Sequence, residues 1–72
     1  MRIRYDRDED ILTFEVSTHK IDHAEEIGSM IVHFSEQGKP VLLEILDASE
    51  FIAEAARAMA RSRGGEFTEV SG

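Results

Sequence analysis

Residues 41–63, VLLEILDASEFIAEAARAMARSR, contain the change of pattern that decides the fold. The first six, Val41–Leu46, are apolar at every position except Glu44, so a strand here would be apolar on nearly both faces. Such a strand is typical of the inside of a sheet, where both faces are covered. Pro40 stands at its start, where a missing N–H costs little. We therefore expect an inner strand, followed directly by a helix that covers the sheet.

The helical pattern begins at Asp47. Asp47 with Glu50 three residues later has the form of a capping box, and Ser49 is a second candidate for the N-cap. Gly64-Gly65 is a stop signal, so the helix is predicted to end by Arg63. Apolar residues occupy nearly all of the helix circumference outside one narrow charged arc. That arc contains Glu50, Glu54, Arg57 and Arg61.

The wide apolar surface of this helix predicts a second neighbour from another copy of the chain. One helix can cover only one face of a small sheet, so an apolar patch should remain. A chain of 72 residues is marginal alone, and it has no cysteine with which to form a disulfide. We therefore expect a homodimer. The candidate interface residues are Leu42, Leu46, Ile31, Phe51, Ala55 and Met59.

The remaining strands are predicted from alternation and from polar turns. Gly38 is the expected positive-φ position in the second turn. The expected fold is an α+β domain at residues 1–65, a four-stranded antiparallel β-meander followed by one C-terminal α-helix packed on the sheet. Residues 66–72 form a tail and are a candidate for disorder. The further strands are Arg2–Tyr5, Ile11–Val16 and Met30–Phe34, and Ala24–Ile27 in the irregular segment Ser17–Ser29 is a candidate short edge strand.

Charge is the strongest compositional signal. The net charge is −7, and residues 6–54 hold 13 acidic residues against three basic ones. Nucleic-acid binding and membrane-surface binding both favour the opposite sign, so neither is expected. A basic protein partner would be favoured electrostatically, although an acidic surface also serves solubility. Without a transmembrane run or the apolar core of a signal peptide, a cytoplasmic location is expected.

Two segments resemble a known family. Residues 5–12, YDRDEDIL, have the pattern Tyr-Asp-x-x-x-Asp-x-Leu, and residues 43–49, LEILDAS, resemble a signature Gly-Ile-Glu-Ile-Leu-Asp-Ala-Ser. Both resemble the prokaryotic domain-of-unknown-function family 2283, over roughly residues 1–49. His33 and Ser35 stand where the family often has Asp. The resemblance implies a compact sheet-plus-helix domain, and some members look like the small partner in toxin–antitoxin-like gene pairs. It carries over no catalytic or binding residue.

Two groups of residues, an aspartate-rich turn and the three histidines, are candidates for metal binding. Asp6, Asp8 and Asp10 match the first ligand positions of a calcium loop, but Ile11 replaces the required Gly and Ser17 the required Glu. Both mismatches favour a solvated turn over a calcium site. The family resemblance likewise implies that Asp6 and Asp10 form a turn. The three histidines His19, His23 and His33 are expected to be scattered instead of forming a zinc or nickel site.

Catalysis is not expected. Ser17, His19 and Asp22 are the residue types of a hydrolase triad, but such triads are assembled from distant segments on a rigid scaffold. Gly64-Gly65 follows a helix and so does not form a phosphate loop. We expect a non-enzymatic interaction module without a cofactor. One form of such a module is the acidic antitoxin-like partner of a basic protein. The alternative is a small-ligand or metal-binding domain.

Overall fold

A computed structural model of the chain describes residues 1–69. Five strands and one helix follow one another along the sequence, in agreement with an α+β fold. Among residues 1–69, no helix is long and apolar enough to cross a membrane. The elements are β1 (Arg2–Asp6), β2 (Ile11–Glu15), β3 (His23–Ile27), β4 (Met30–Phe34), β5 (Pro40–Leu46) and α1 (Ala48–Arg61).

The sheet is antiparallel, and β5 lies at its centre, in the order β1-β2-β5-β4-β3. The expectation of an inner strand at Val41–Leu46 is confirmed. Two parts of the predicted architecture are wrong: the sheet has five strands instead of four, and it is not a meander. Two hairpins, β1–β2 and β3–β4, flank β5, which pairs with the second strand of each. The strand that is apolar on nearly both faces is the one placed between two neighbours.

The fifth strand is the edge strand His23–Ile27, which includes the candidate edge strand Ala24–Ile27 named from the sequence. Its five residues are all exposed, and two of them are glutamates. Charged side chains on a short edge strand hinder pairing with other chains, and they also weaken the alternation by which strands are recognised. Gly28 has φ of 59° in the tight β3–β4 turn, and Gly38 has φ of 80° in the β4–β5 turn, as predicted for Gly38.

The two faces of the sheet differ in chemistry. Directly paired residues point to the same side, so the register defines each face. One face carries the ion pair Arg2–Glu15 and the contact between His33 and Glu44, with Leu42 between them in the register. We call it the opposite face. We call the other side the apolar face. It presents Ile3, Tyr5, Leu12, Phe14, Met30, Val32, Leu43 and Ile45.

The core of the described chain is small. Its buried apolar residues are Val41 and Ile45, each 3% exposed, and Ala48 at 1%. Helix α1 starts on the apolar face, because Ala48 and Ile52 line a groove together with Tyr5 and Leu12. The helix thus packs on the sheet at Ala48; Glu54, Ala55 and Ala58 are half-buried, and its other residues are exposed.

The helix ends at Arg61, slightly before the predicted stop. Ser62 is extended and donates its N–H to the Ala58 carbonyl oxygen at 2.9 Å, and Gly65 follows with φ of 81°. Phe67 in the tail is fully exposed and covers nothing. Disorder was predicted for residues 66–72, and the last three of these, from Val70 onward, lie outside the described residues.

Candidate interaction site at the start of the helix

The helix is capped by a residue far away in the sequence. The predicted capping box is wrong: Asp47 has φ of 52° and ψ of 46°, and its side chain makes no capping hydrogen bond. An N-cap residue that accepts from the first-turn N–H groups typically has β-region backbone angles, which Asp47 lacks. Instead, the Ser49 N–H donates to Asp10 Oδ1 at 3.0 Å, and the Ser49 hydroxyl donates to Asp10 Oδ2 at 2.7 Å. Ala48 N–H donates to the Asp10 carbonyl oxygen at 3.0 Å.

Asp10 can reach the helix because of the sheet register. Ile11 pairs with Leu46, so the residue before β2 lies beside the residue after β5. Asp10 itself has φ of 56°, a conformation that Asp tolerates better than most residues. The polar turn therefore ends in a residue whose backbone and side chain both bind the helix start.

Tyr5 completes this cluster. Its hydroxyl donates to Asp10 Oδ1 at 2.6 Å. The hydrogen bonds from Tyr5 and then Ser49 hold the pKa of Asp10 below its usual value, because each stabilises the carboxylate. The same bond to a carboxylate raises the pKa of Tyr5, because it stabilises the protonated phenol. We call Tyr5, Asp10 and Ser49 the capping cluster.

The capping cluster brings two acidic segments together. One is the β1–β2 turn, in which the Glu9 N–H donates to Asp6 Oδ1 at 3.1 Å. The other is the start of α1. In the described part of the chain, no three carboxylates or histidines converge in a way that could hold a metal ion. The resulting surface, which we call the acidic corner, consists of Asp6, Asp8, Glu9, Asp10, Asp47 and Glu50.

An open apolar groove lies next to the acidic corner. It has a volume of about 410 Å³. Tyr5 and Ile52, both 48% exposed, stand on its two sides, with Leu12, Ala48 and Ser49 in the lining. Negative charge and exposed apolar side chains therefore occur side by side at one end of the sheet.

The three histidines lie apart. His33 Nε2 is 2.6 Å from Glu44 Oε1 on the opposite face, where both side chains are half-buried. His23 stacks on Phe34 with ring centroids 5.3 Å apart, and His19 lies in the loop before β3. The structure does not bring these residues to one point.

The residues of the hypothetical triad are not assembled either. Asp22 Oδ2 is 2.9 Å from His23 Nδ1, so this carboxylate contacts His23. The Ser17 hydroxyl oxygen is buried and has no hydrogen-bond partner among residues 1–69. Neither arrangement provides an activated nucleophile.

The candidate dimer residues fall on two different sides of the molecule. Leu42, Leu46 and Ile31 lie on the opposite face, half-buried among the charged pairs. The helix residues Phe51, Ala55 and Met59 belong to α1, which starts from the apolar face. The two halves of the predicted interface therefore do not form one patch.

Comparison with known proteins identifies the family. A family model described as a protein of unknown function, DUF2283, matches residues 2–49. The chain belongs to the DUF2283 family. The match includes both segments that carried the resemblance and ends at Ser49, the residue that Asp10 caps. No match was found among curated proteins or among solved structures.

The capping cluster joins the two segments of this chain that resemble the DUF2283 family. Tyr5 and Asp10 belong to the first segment and Ser49 to the second, and their side chains meet in space. The local helix pattern does not reveal this contact, because the capping residue Asp10 lies 39 positions before Ser49. The sequence signal for the contact is that both segments, residues 5–12 and 43–49, contain a side chain suited to capping, Asp10 in the first and Ser49 in the second.

Proposed function

We propose that this chain is a non-enzymatic interaction module, an antitoxin-like cytoplasmic protein that acts as a homodimer and binds a basic protein. The observation that carries the proposal is the acidic corner, where two acidic segments distant in sequence are joined beside an exposed apolar groove. Lys and Arg side chains of a partner would meet negative charge there, and an apolar side chain would have a place to bind.

The arrangement of charge supports a protein partner more than a bound ion. The carboxylates of the acidic corner are spread over a turn and a helix start, and within residues 1–69 they do not converge on one point. Hydrogen bonds from Tyr5 and Ser49 fix the position of Asp10, so the surface is presented by a defined backbone. A preorganised surface binds with a smaller entropic cost.

Charge reversal tests the proposal. Asp8→Lys with Glu9→Lys removes negative charge from the acidic corner without altering the capping cluster. Tagged wild-type and variant proteins should be used to capture proteins from the source cells, and a captured basic protein should then be purified and its affinity measured. We expect binding by the wild type that weakens steeply with salt, and at least a tenfold weaker affinity for the variant.

A matched control has the same change of charge elsewhere. Glu26→Lys with Glu36→Lys alters the edge strand and the second turn, away from the acidic corner. This control should bind the purified partner with nearly the wild-type affinity. Equal losses in both variants would mean that only total charge matters, and affinity that holds in molar salt would contradict the electrostatic proposal.

A further inference from the structure

The helix carries an apolar stripe that extends beyond its own sheet. Ala48, Ile52, Ala55 and Met59 follow one another at helical spacing on one side of α1. Ala48 is 1% exposed and Ala55 is half-buried, whereas the two large side chains of the stripe are exposed, Ile52 at 48% and Met59 at 74%. The stripe therefore begins on the sheet at Ala48, and residues 1–69 leave its two large side chains, Ile52 and Met59, largely uncovered.

The apolar face of the sheet is also incompletely covered. Ile3 and Tyr5 on β1 and Ile27 on β3 are exposed at its two edges. The described chain thus presents an apolar sheet face and an apolar helix stripe, two surfaces that normally pack on each other.

The accessible surface of the chain is larger than that of a compact monomer of this mass. The accessible surface is 5845 Å², whereas a compact monomer of this mass should expose about 4,500 Å². The radius of gyration is 14.0 Å, against about 11 Å for a compact domain of this length. The excess area, about 1,300 Å², is larger than the roughly 800 Å² that each partner buries in a standard interface.

The distribution of charge favours the apolar face over the opposite one. Within the strands, the apolar face carries one acidic side chain, Glu25 on β3, and Asp10 lies at its β1 edge against Tyr5. The opposite face carries Arg2, Glu15 and Glu44 within the sheet. Since each copy has a net charge of −7, association needs an interface that brings few carboxylates together.

We propose that a second copy of the chain covers these surfaces, with α1 of each protomer laying its Ile52, Ala55 and Met59 stripe on the apolar face of the other. The contact is self-complementary and leaves the charged arc of α1 facing solvent. It deepens the homodimer of the proposed function by naming its interface, and its test uses the chain alone, independently of any basic partner.

Site-directed photocrosslinking tests the arrangement. The chain has no cysteine, so Met59→Cys introduces a unique thiol for a photoreactive label at an exposed position. Heavy-isotope-labelled and unlabelled chains are mixed and allowed to exchange before irradiation, and mass spectrometry then maps the crosslinks. We expect crosslinks between chains of different isotope content, located on apolar-face residues such as Ile3 or Phe14.

The control places the label on the same helix outside the stripe. Ala53→Cys lies toward the charged arc and should give several-fold fewer crosslinks between chains. Crosslinks confined to a single chain would overturn the proposal. Crosslinks from position 59 to the opposite face, for example to Leu42, would also overturn it, because they would identify a different interface.

Discussion

Asp10 accepts two hydrogen bonds from Ser49, a residue 39 positions later in the chain. The contact fixes the start of the only helix in the described chain to the turn between the first two strands. Since Asp10 also accepts from Tyr5, one carboxylate joins three elements of the fold. This relationship gives the DUF2283 segments a structural role and positions the acidic corner.

The first prediction separates the observed cap from the predicted one. Asp10 and Asp47 both have positive φ, so glycine fits either backbone and removes the side chain without steric strain. Asp10→Gly should lower the melting temperature by about 5 °C or more through loss of the cap. Asp47→Gly is the matched control and should leave it nearly unchanged. Equal shifts, measured by circular dichroism, would show that Asp10 has no special role.

The second prediction uses the single tyrosine. The chain has one tyrosine and no tryptophan, so tyrosinate absorbance reports on Tyr5 alone. Its hydrogen bond to Asp10 should place the titration midpoint above the ordinary value of about 10. Asp10→Gly should move the midpoint back toward that value. A wild-type midpoint at the value of the unfolded chain would refute the bond.

The third prediction concerns acid. The pKa of Asp10 is lowered in the folded state, so its stabilising effect is fully present above the unfolded pKa of about 4 and is lost as pH falls through the folded pKa. Asp10→Asn should therefore lose less stability than the wild type over this acid range. Denaturant unfolding at several pH values measures the difference, and parallel curves for the two proteins would contradict it.

The fourth prediction addresses the alternative of a metal-binding domain. Adding calcium, zinc or nickel to the chelated protein should leave its melting temperature unchanged within error. A ligand that binds only the folded state raises the melting temperature once its concentration exceeds the dissociation constant. A clear rise at micromolar metal would favour the alternative over the interaction module.

Much of the fold could be predicted from the sequence because alternation and turn residues are local signals. Met30–Phe34 was predicted with its observed bounds, and the central place of β5 followed from its two apolar faces. The edge strand His23–Ile27 was harder to predict because its charged residues weaken the alternation. The pairing of β2 with β5 is a long-range contact, which short connections and residue periodicity do not encode.

The candidate site was less predictable. The charge of residues 6–54 indicated an acidic surface, but not that Asp10 and Asp47 become neighbours. That adjacency depends on strand order. The left-handed conformation of Asp47 likewise depends on the connection between β5 and α1, and it displaced the cap that the local pattern favoured.

The proposed interface makes opposite predictions for charges placed on the two sides of the molecule. Met59→Glu inserts a carboxylate into the apolar stripe and should weaken self-association at least tenfold. Ala53→Glu adds the same charge beside the charged arc of the same helix and should have little effect. Leu42→Glu tests the opposite face and should also leave the dimer intact. If Leu42→Glu dissociates it and Met59→Glu does not, the interface lies on the opposite face.

Sedimentation equilibrium of the wild-type chain at micromolar concentration tests the central claim most directly. The buried apolar residues Val41, Ile45 and Ala48 make a small core for the described chain, and we infer that a second copy completes it. We expect the mass of a dimer, twice the 8.1 kDa of one chain. A stable species with the mass of one chain, unchanged as concentration rises, would contradict this.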